Sequence, residues 1–232
     1  MKPHEFINML EKGFKQKSNS LISLNQKAYM RNQFDFYGLT ASQRREIQSP
    51  LLKKCHAVSK KYLKKITIEL WKKEQRDYQY CAQELIFQNN KNLKIGDIQL
   101  IEFMITNKSW WDTIDFIAPK IIAKYFKLYP EKTESQIDKW IKSNNIWLQR
   151  SCLIFQLKHR ENLDTHLLSY TIQSLLGSKE FFINKAIGWI LREYSKTNQA
   201  WVMDFVQKTN LNSLSQREAL KFIKTSLNSK KT

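Results

Sequence analysis

The sequence predicts an all-α protein, an α-solenoid of paired helices, and three observations carry that expectation. Apolar residues recur at helical spacing in nearly every segment. The chain of 232 residues holds only 5 Gly and 4 Pro, too few for a fold of short strands and tight turns. From the middle of the chain onward a 35-residue period appears, within the range of two-helix repeat units.

Each element has its own signal. Phe6, Met9, Leu10 and Phe14 form the apolar stripe of a first helix; Leu21, Leu24, Ala28 and Tyr29 form that of a second. Asp35 to Gly38 reads as a loop. Thr40-Ala41-Ser42-Gln43 is a capping-box pattern opening a basic helix with Arg44 and Arg45, which Pro50 should end or kink. Tyr62, Ile66, Glu69 and Leu70 mark the next helix, and Tyr78, Ala82, Leu85 and Ile86 the one after. Asp97 is placed to cap a helix containing Ile98, Ile101, Glu102 and Ile105. A helix from Trp110 must tolerate Pro119, with a kink expected there. Thr133-Glu134-Ser135-Gln136 is a second capping-box pattern. Further helices are expected around Trp147 to Leu157, Thr165 to Leu176, Glu180 to Tyr194, Ala200 to Val206 and Gln216 to Ile223. No internal segment has linker composition, so one domain over residues 1–232 is expected, with Ser229 to Thr232 frayed.

Composition narrows the function classes. Lys and Arg number 39 against 21 Asp and Glu, a net charge of +18 that points to a polyanion, most simply nucleic acid. Lys53, Lys54, Lys60, Lys61, Lys64 and Lys65 read as a solvated face able to steer it. Cys55, Cys81 and Cys152 form no CxxC pair, and Cys55-His56 is adjacent rather than at ligand spacing, so buried thiols and no metal site are expected. No apolar run approaches a membrane span and the first residues carry no signal-peptide core, which fits a cytoplasmic protein.

The chemistry is sought at Lys108-Ser109-Trp110-Trp111-Asp112-Thr113-Ile114-Asp115. On a helix Trp111 and Asp115 share a face, and an aromatic plate beside a carboxylate suits a sugar that becomes positively charged. Read blandly, the tryptophans are core and the aspartates solvated helix charges. The register adds geometry. Windows beginning at Asp77, Asp112, Trp147 and Phe182 superpose, so Tyr80, Asp115, Arg150 and Lys185 take equivalent positions and would line one concave surface. Trp111 lies one turn before Asp115 and Trp189 one turn after Lys185, with Arg192 and Lys196 continuing that face. Trp110, offset from Trp111 by about 100° on a helix, reads as core, as do Trp71, Trp140, Trp147 and Trp201.

Three segments carry a family resemblance. They are Thr106 to Asp115, Trp147-Leu148-Gln149-Arg150, and Lys185 to Asn198 with its Gly188-Trp189-Ile190-Leu191-Arg192 centre; Phe36-Tyr37-Gly38-Leu39 and Glu69-Leu70-Trp71 support them. Together they resemble the bacterial DNA alkylation repair family of HEAT-like repeat glycosylases, from about Tyr29 to about residue 209. The resemblance implies a curved HEAT-like solenoid that holds duplex DNA as a monomer and removes N3- and N7-alkylated purines without metal or cofactor. It implies Asp115 as the catalytic carboxylate and Trp111 and Trp189 as the residues flanking the lesion. It implies that Arg150 and Tyr29 contact DNA, although Tyr29 by itself fits core packing equally well. Lys158, Lys185 and Arg192 are further candidate phosphate contacts, and Asp112 is expected to cap or pair nearby. Gln149 stands where the family often has a second basic residue. Two other classes fit the same surface: a nonenzymatic DNA or RNA binder, and a scaffold for an acidic protein.

Overall fold

The computed structural model describes residues 2–56 and 60–228 and divides into two compact units, Met1–Leu93 and Lys94–Thr232. The expected fraying of Ser229 to Thr232 lies outside the described residues, as do the side chains of Cys55, His56, Lys60 and Lys61. Among the described residues the regular structure is helical apart from one isolated bridge between Asp35 and Gln75. No helix there is long and apolar enough to cross a membrane.

The first unit contains α1 (Pro3–Gln16), α2 (Ser20–Tyr29), α3 (Ala41–His56), α4 (Lys60–Lys72) and α5 (Arg76–Gln88). Phe6, Leu10 and Phe14 of α1, Leu52 of α3, Leu70 and Trp71 of α4, and Tyr78, Ala82 and Leu85 of α5 are buried together in its core. Met9, expected on the α1 stripe, is exposed. Helix α2 forms where its stripe predicts, but the stripe is not packed. None of its residues is buried, and Leu21, Leu24 and Tyr29 are 68%, 64% and 70% exposed. Its inner side is held by polar bonds instead: Ser23 Oγ donates to Phe36 O and Gln26 Nε2 to Leu39 O, both at 2.8 Å. An apolar stripe fixes the helical period but not which side meets the core.

Other local readings divide in the same way. Thr40 and Gln43 form the reciprocal capping box, Gln43 N reaching Thr40 Oγ1 at 3.3 Å and Thr40 N reaching Gln43 Oε1 at 2.9 Å. Pro50 does not end the helix, since α3 continues through it to His56. Lys53, Lys54, Lys64 and Lys65 are solvent-exposed. The Phe36-Tyr37-Gly38-Leu39 turn is tied to α5, where Asp77 Oδ2 accepts from Tyr37 N at 2.8 Å.

The second unit contains α6 (Ile98–Thr106), α7 (Trp111–Ile117), α8 (Ala123–Leu128), α9 (Thr133–Ile141), α10 (Ile146–Ile154), α11 (Thr165–Ser174), α12 (Phe181–Tyr194), α13 (Gln199–Lys208) and α14 (Ser213–Asn228). Asp97 makes no side-chain cap for α6; it sits in a 3-10 turn and accepts from Lys94 N at 2.7 Å. Gln136 likewise leaves its capping role, donating at 2.9 Å to Glu102 Oε1, which also accepts from Lys139 Nζ and Trp140 Nε1. A half-buried carboxylate with three donors outcompetes a surface cap. Pro119 is accommodated by a π-helical segment, Ala118–Ile122, between α7 and α8, so its missing N–H falls where the ordinary helical ladder is already interrupted.

The 35-residue register has a structural counterpart. Asp77, Asp112, Trp147 and Phe182 are each the second residue of a helix, α5, α7, α10 and α12 respectively. Tyr80, Asp115, Arg150 and Lys185 are therefore each one turn further along.

Gly38 has φ +79°, and a Cβ there would lie 1.9 Å from Asn19 O. Gly38→Ala must open the turn that carries α2. A loss of more than about 1 kcal/mol is expected, read as a lower denaturant midpoint at unchanged slope; an unaltered midpoint would show that the turn yields freely.

Candidate active site

The site is built from the N-terminal turns of α7, α10 and α12. Helix α6 stops at Thr106, Lys108 adopts a left-handed conformation (φ 46°), and Ser109 Oγ donates to Ile105 O at 2.6 Å, so the chain reverses within a few residues. Trp110 then enters α7 as its N-cap in extended conformation. It is not on the helix, and the offset argument that made it core does not apply. Its half-buried ring packs with Trp147 and Phe182 in a triangle of centroid separations 5.7, 5.3 and 5.0 Å. Trp71, Trp140 and Trp147 are buried as expected, while Trp201 is half-buried and stacks on Phe205.

Asp115 follows one turn into α7. Helix α10 is started by Asn145, whose side chain accepts from Trp147 N and Leu148 N, and this brings Arg150 opposite Asp115. Arg150 Nε donates to Asp115 Oδ1 at 2.9 Å and Nη2 to Oδ2 at 3.0 Å, a bidentate pair between helices. The remaining Nη1 donates to Phe182 O at 2.7 Å, fastening the start of α12 to the same guanidinium. Trp189 closes the group, its ring centroid 5.9 Å from Arg150 Cζ. Trp111 and Trp189 are both half-buried.

Electrostatics distinguish the two members of the pair. The Arg150 side chain is 4% exposed and that of Asp115 20%, so the carboxylate is the side of the pair that solvent or a ligand reaches. Burial raises the Asp115 pKa to about 6, Arg150 pulls it down, and the neighbouring charge of Asp112 pushes it up. The folded value lies above the ordinary 3.8. Ionisation therefore carries a cost to folding. That cost appears as pH rises from about 4 to about 6 and is complete above. Near neutrality the group is a carboxylate whose remaining lone pairs can face a cationic centre or hold a water.

The other sequence candidates lie in different settings. Arg150 is not an open phosphate contact, because Nε, Nη1 and Nη2 are all engaged. Lys185 and Arg192 both pair with Glu218 of α14. Lys158 is exposed and has no ion pair among the described residues. Gln149 Nε2 donates to Ile141 O at 2.9 Å. Tyr29 belongs to the first unit, at the end of α2. The sequence missed Trp147 and Phe182 as neighbours of the site, although both open windows of the 35-residue register. Among the described residues no three His, Cys, Asp or Glu side chains stand close enough to hold a metal, and Cys81 and Cys152 are buried.

Known proteins carry the same frame. A predicted DNA alkylation repair enzyme from Enterococcus faecalis is 32% identical, over 88% of this chain and 96% of that one, with a TM-score of 0.83. Two Streptococcus mutans structures share the all-α HEAT-repeat fold at lower identity. One is AlkD2, at TM-score 0.64 and 16% identity over 95% of this chain and 97% of that one. The other is smu.31 of strain UA159, at TM-score 0.61 and 18% identity over 90% and 98%. No curated protein matches the chain. The model of the family described as DNA alkylation repair enzyme matches residues 10–223, and the chain belongs to that family.

Proposed function

We propose that the protein is a monofunctional DNA glycosylase that hydrolyses the N-glycosidic bond of cationic N3- and N7-alkylated purines in duplex DNA. It would act as a monomer in the cytoplasm. The observation that carries this reading is the Asp115 carboxylate, held by Arg150 as the more exposed member of the pair, with the Trp189 ring 5.9 Å from the same guanidinium.

Alkylation at N3 or N7 makes the purine a cation, so it leaves as a neutral base and needs no proton from an acid. What remains is to stabilise an oxocarbenium-like deoxyribose and to add water at its anomeric carbon. The glycosidic electron pair leaves with the base. Water supplies the new C–O bond, and its proton passes to Asp115 or to solvent. The carboxylate offsets the developing positive charge, and the π faces of Trp111 and Trp189 contribute about 0.5–2 kcal/mol each. Tyr29, Lys158, Lys185 and Arg192 are the proposed backbone contacts. Arg150, with each of its three nitrogens already donating to Asp115 or Phe182, acts on DNA through Asp115 more than by direct contact.

Incubation with methylated duplex DNA and chromatography of the released bases tests the activity. Release of 3-methyladenine and 7-methylguanine is expected, with uracil left in place, since uracil would depart as an anion. Asp115→Asn should lower single-turnover release at least about tenfold, equivalent to about 1.4 kcal/mol of barrier. It also leaves Arg150 without its counter-ion, so rates are compared well below each variant's melting temperature. Full activity in that variant, or a borohydride-trapped protein–DNA adduct, would contradict the mechanism.

Trp111→Ala and Trp189→Ala should depress single-turnover release more than stability, because neither ring is fully buried. Trp140→Ala, whose ring is 0% exposed, is the opposite case. It should cost about 3–5 kcal/mol through its cavity. Thermal melts beside excision rates separate the two; equal stability losses in all three variants would make Trp111 and Trp189 core.

A further inference from the structure

The two cations of α12 that flank Trp189 end on a single carboxylate. Lys185 and Arg192 are seven residues apart, so both tips project to one side of the helix. Glu218 Oε1 lies 2.9 Å from Lys185 Nζ, and Glu218 Oε2 accepts from Arg192 Nη1. The Glu218 side chain is 11% exposed, against 38% for Lys185 and 25% for Arg192, so the carboxylate lies beneath the cations. Its place is fixed by close packing of α12 on α14. A Cβ on Gly188 would fall 2.8 Å from Ser215 O and 2.5 Å from Glu218 Cβ, and Ser215 Oγ donates to Asn184 O at 2.8 Å. Hydrogen bonding to Lys185 and the charge of Arg192 hold the Glu218 carboxyl below its usual range, so it is ionised at neutral pH.

We propose that Glu218 is a positioning residue for DNA. It holds Lys185 and Arg192 side by side next to Trp189 and offsets one of their two charges, leaving a net single positive charge suited to one phosphodiester. The inference rests on the DNA reading above. Two free lysine-like contacts would release the counterions of two phosphates; the Glu218-bridged pair releases those of one. Each phosphate neutralised contributes about 0.9 to the slope of log affinity against log salt on duplex DNA.

The experiment is fluorescence-anisotropy titration of an undamaged duplex over a salt series, with melts to verify folding. Glu218→Gln keeps the shape and removes the charge; its slope should steepen by about 0.9 relative to the unmodified chain, with tighter binding at low salt. Glu218→Asp, which keeps the charge, should retain the original slope. A Lys185→Ala, Arg192→Ala double variant tests the same claim without altering Glu218: it should lose about 0.9 of slope rather than the roughly 1.8 of two independent contacts. An unchanged slope in folded Glu218→Gln, or a loss of about 1.8 in the double variant, would overturn the inference while leaving DNA binding intact. An unmodified chain that shows no salt-dependent duplex binding would instead remove the DNA reading and this inference with it.

Discussion

The candidate site depends on one interaction, the bidentate pair between Asp115 and Arg150. It joins α7 to α10, and through Arg150 Nη1 and Phe182 O it joins α12 as well. A guanidinium buried this deeply requires a counter-ion and a full set of acceptors, because an uncompensated charge there would cost about 3–5 kcal/mol. The same requirement serves the chemistry. Arg150 holds the carboxylate in one orientation, and its own Cζ lies 5.9 Å from the ring of Phe182, which packs with Trp110 and Trp147. A carboxylate in that setting is worth more to a developing cation than one in solvent.

Charge balance runs through the remaining basic residues. The sequence carries +18, yet the cations that flank Trp189 along α12 are tied to Glu218, and Arg150 is tied to Asp115. Lys158, exposed and without an ion pair among the described residues, represents the other class, which can meet a phosphate directly. Net charge thus reports attraction to a polyanion, whereas the geometry of the bridges decides where the positive charge is free to act.

Much of this was legible in the residues because helical repeats translate sequence period into position. The register gave Asp115, Arg150 and Lys185 equivalent positions, and each lies one turn beyond the second residue of its helix, in α7, α10 and α12. It could not say that Arg150 turns to Asp115, since a period identifies a face and not a partner. The Glu218 bridge was hidden for a related reason: its carboxylate comes from α14, beyond the last register window. Leu21, Leu24 and Tyr29 show the limit of periodicity, for an apolar stripe has the same spacing whether it is packed or exposed. Trp110 was misread because its extended N-cap conformation depends on the Asn107–Ser109 reversal, which a helix pattern does not reveal.

The central claim is that an ionised Asp115, tuned by burial against Arg150, stabilises the departing sugar. The most direct measurement is the pH dependence of single-turnover 7-methylguanine release from prebound duplex DNA, corrected for spontaneous loss. Because burial raises the Asp115 pKa to about 6, the rate should climb as pH rises through that value and level off above it, and Asp115→Asn should lose the climb. A rate that is flat across this range, or that falls as pH rises, would contradict the assignment of the carboxylate as the active form.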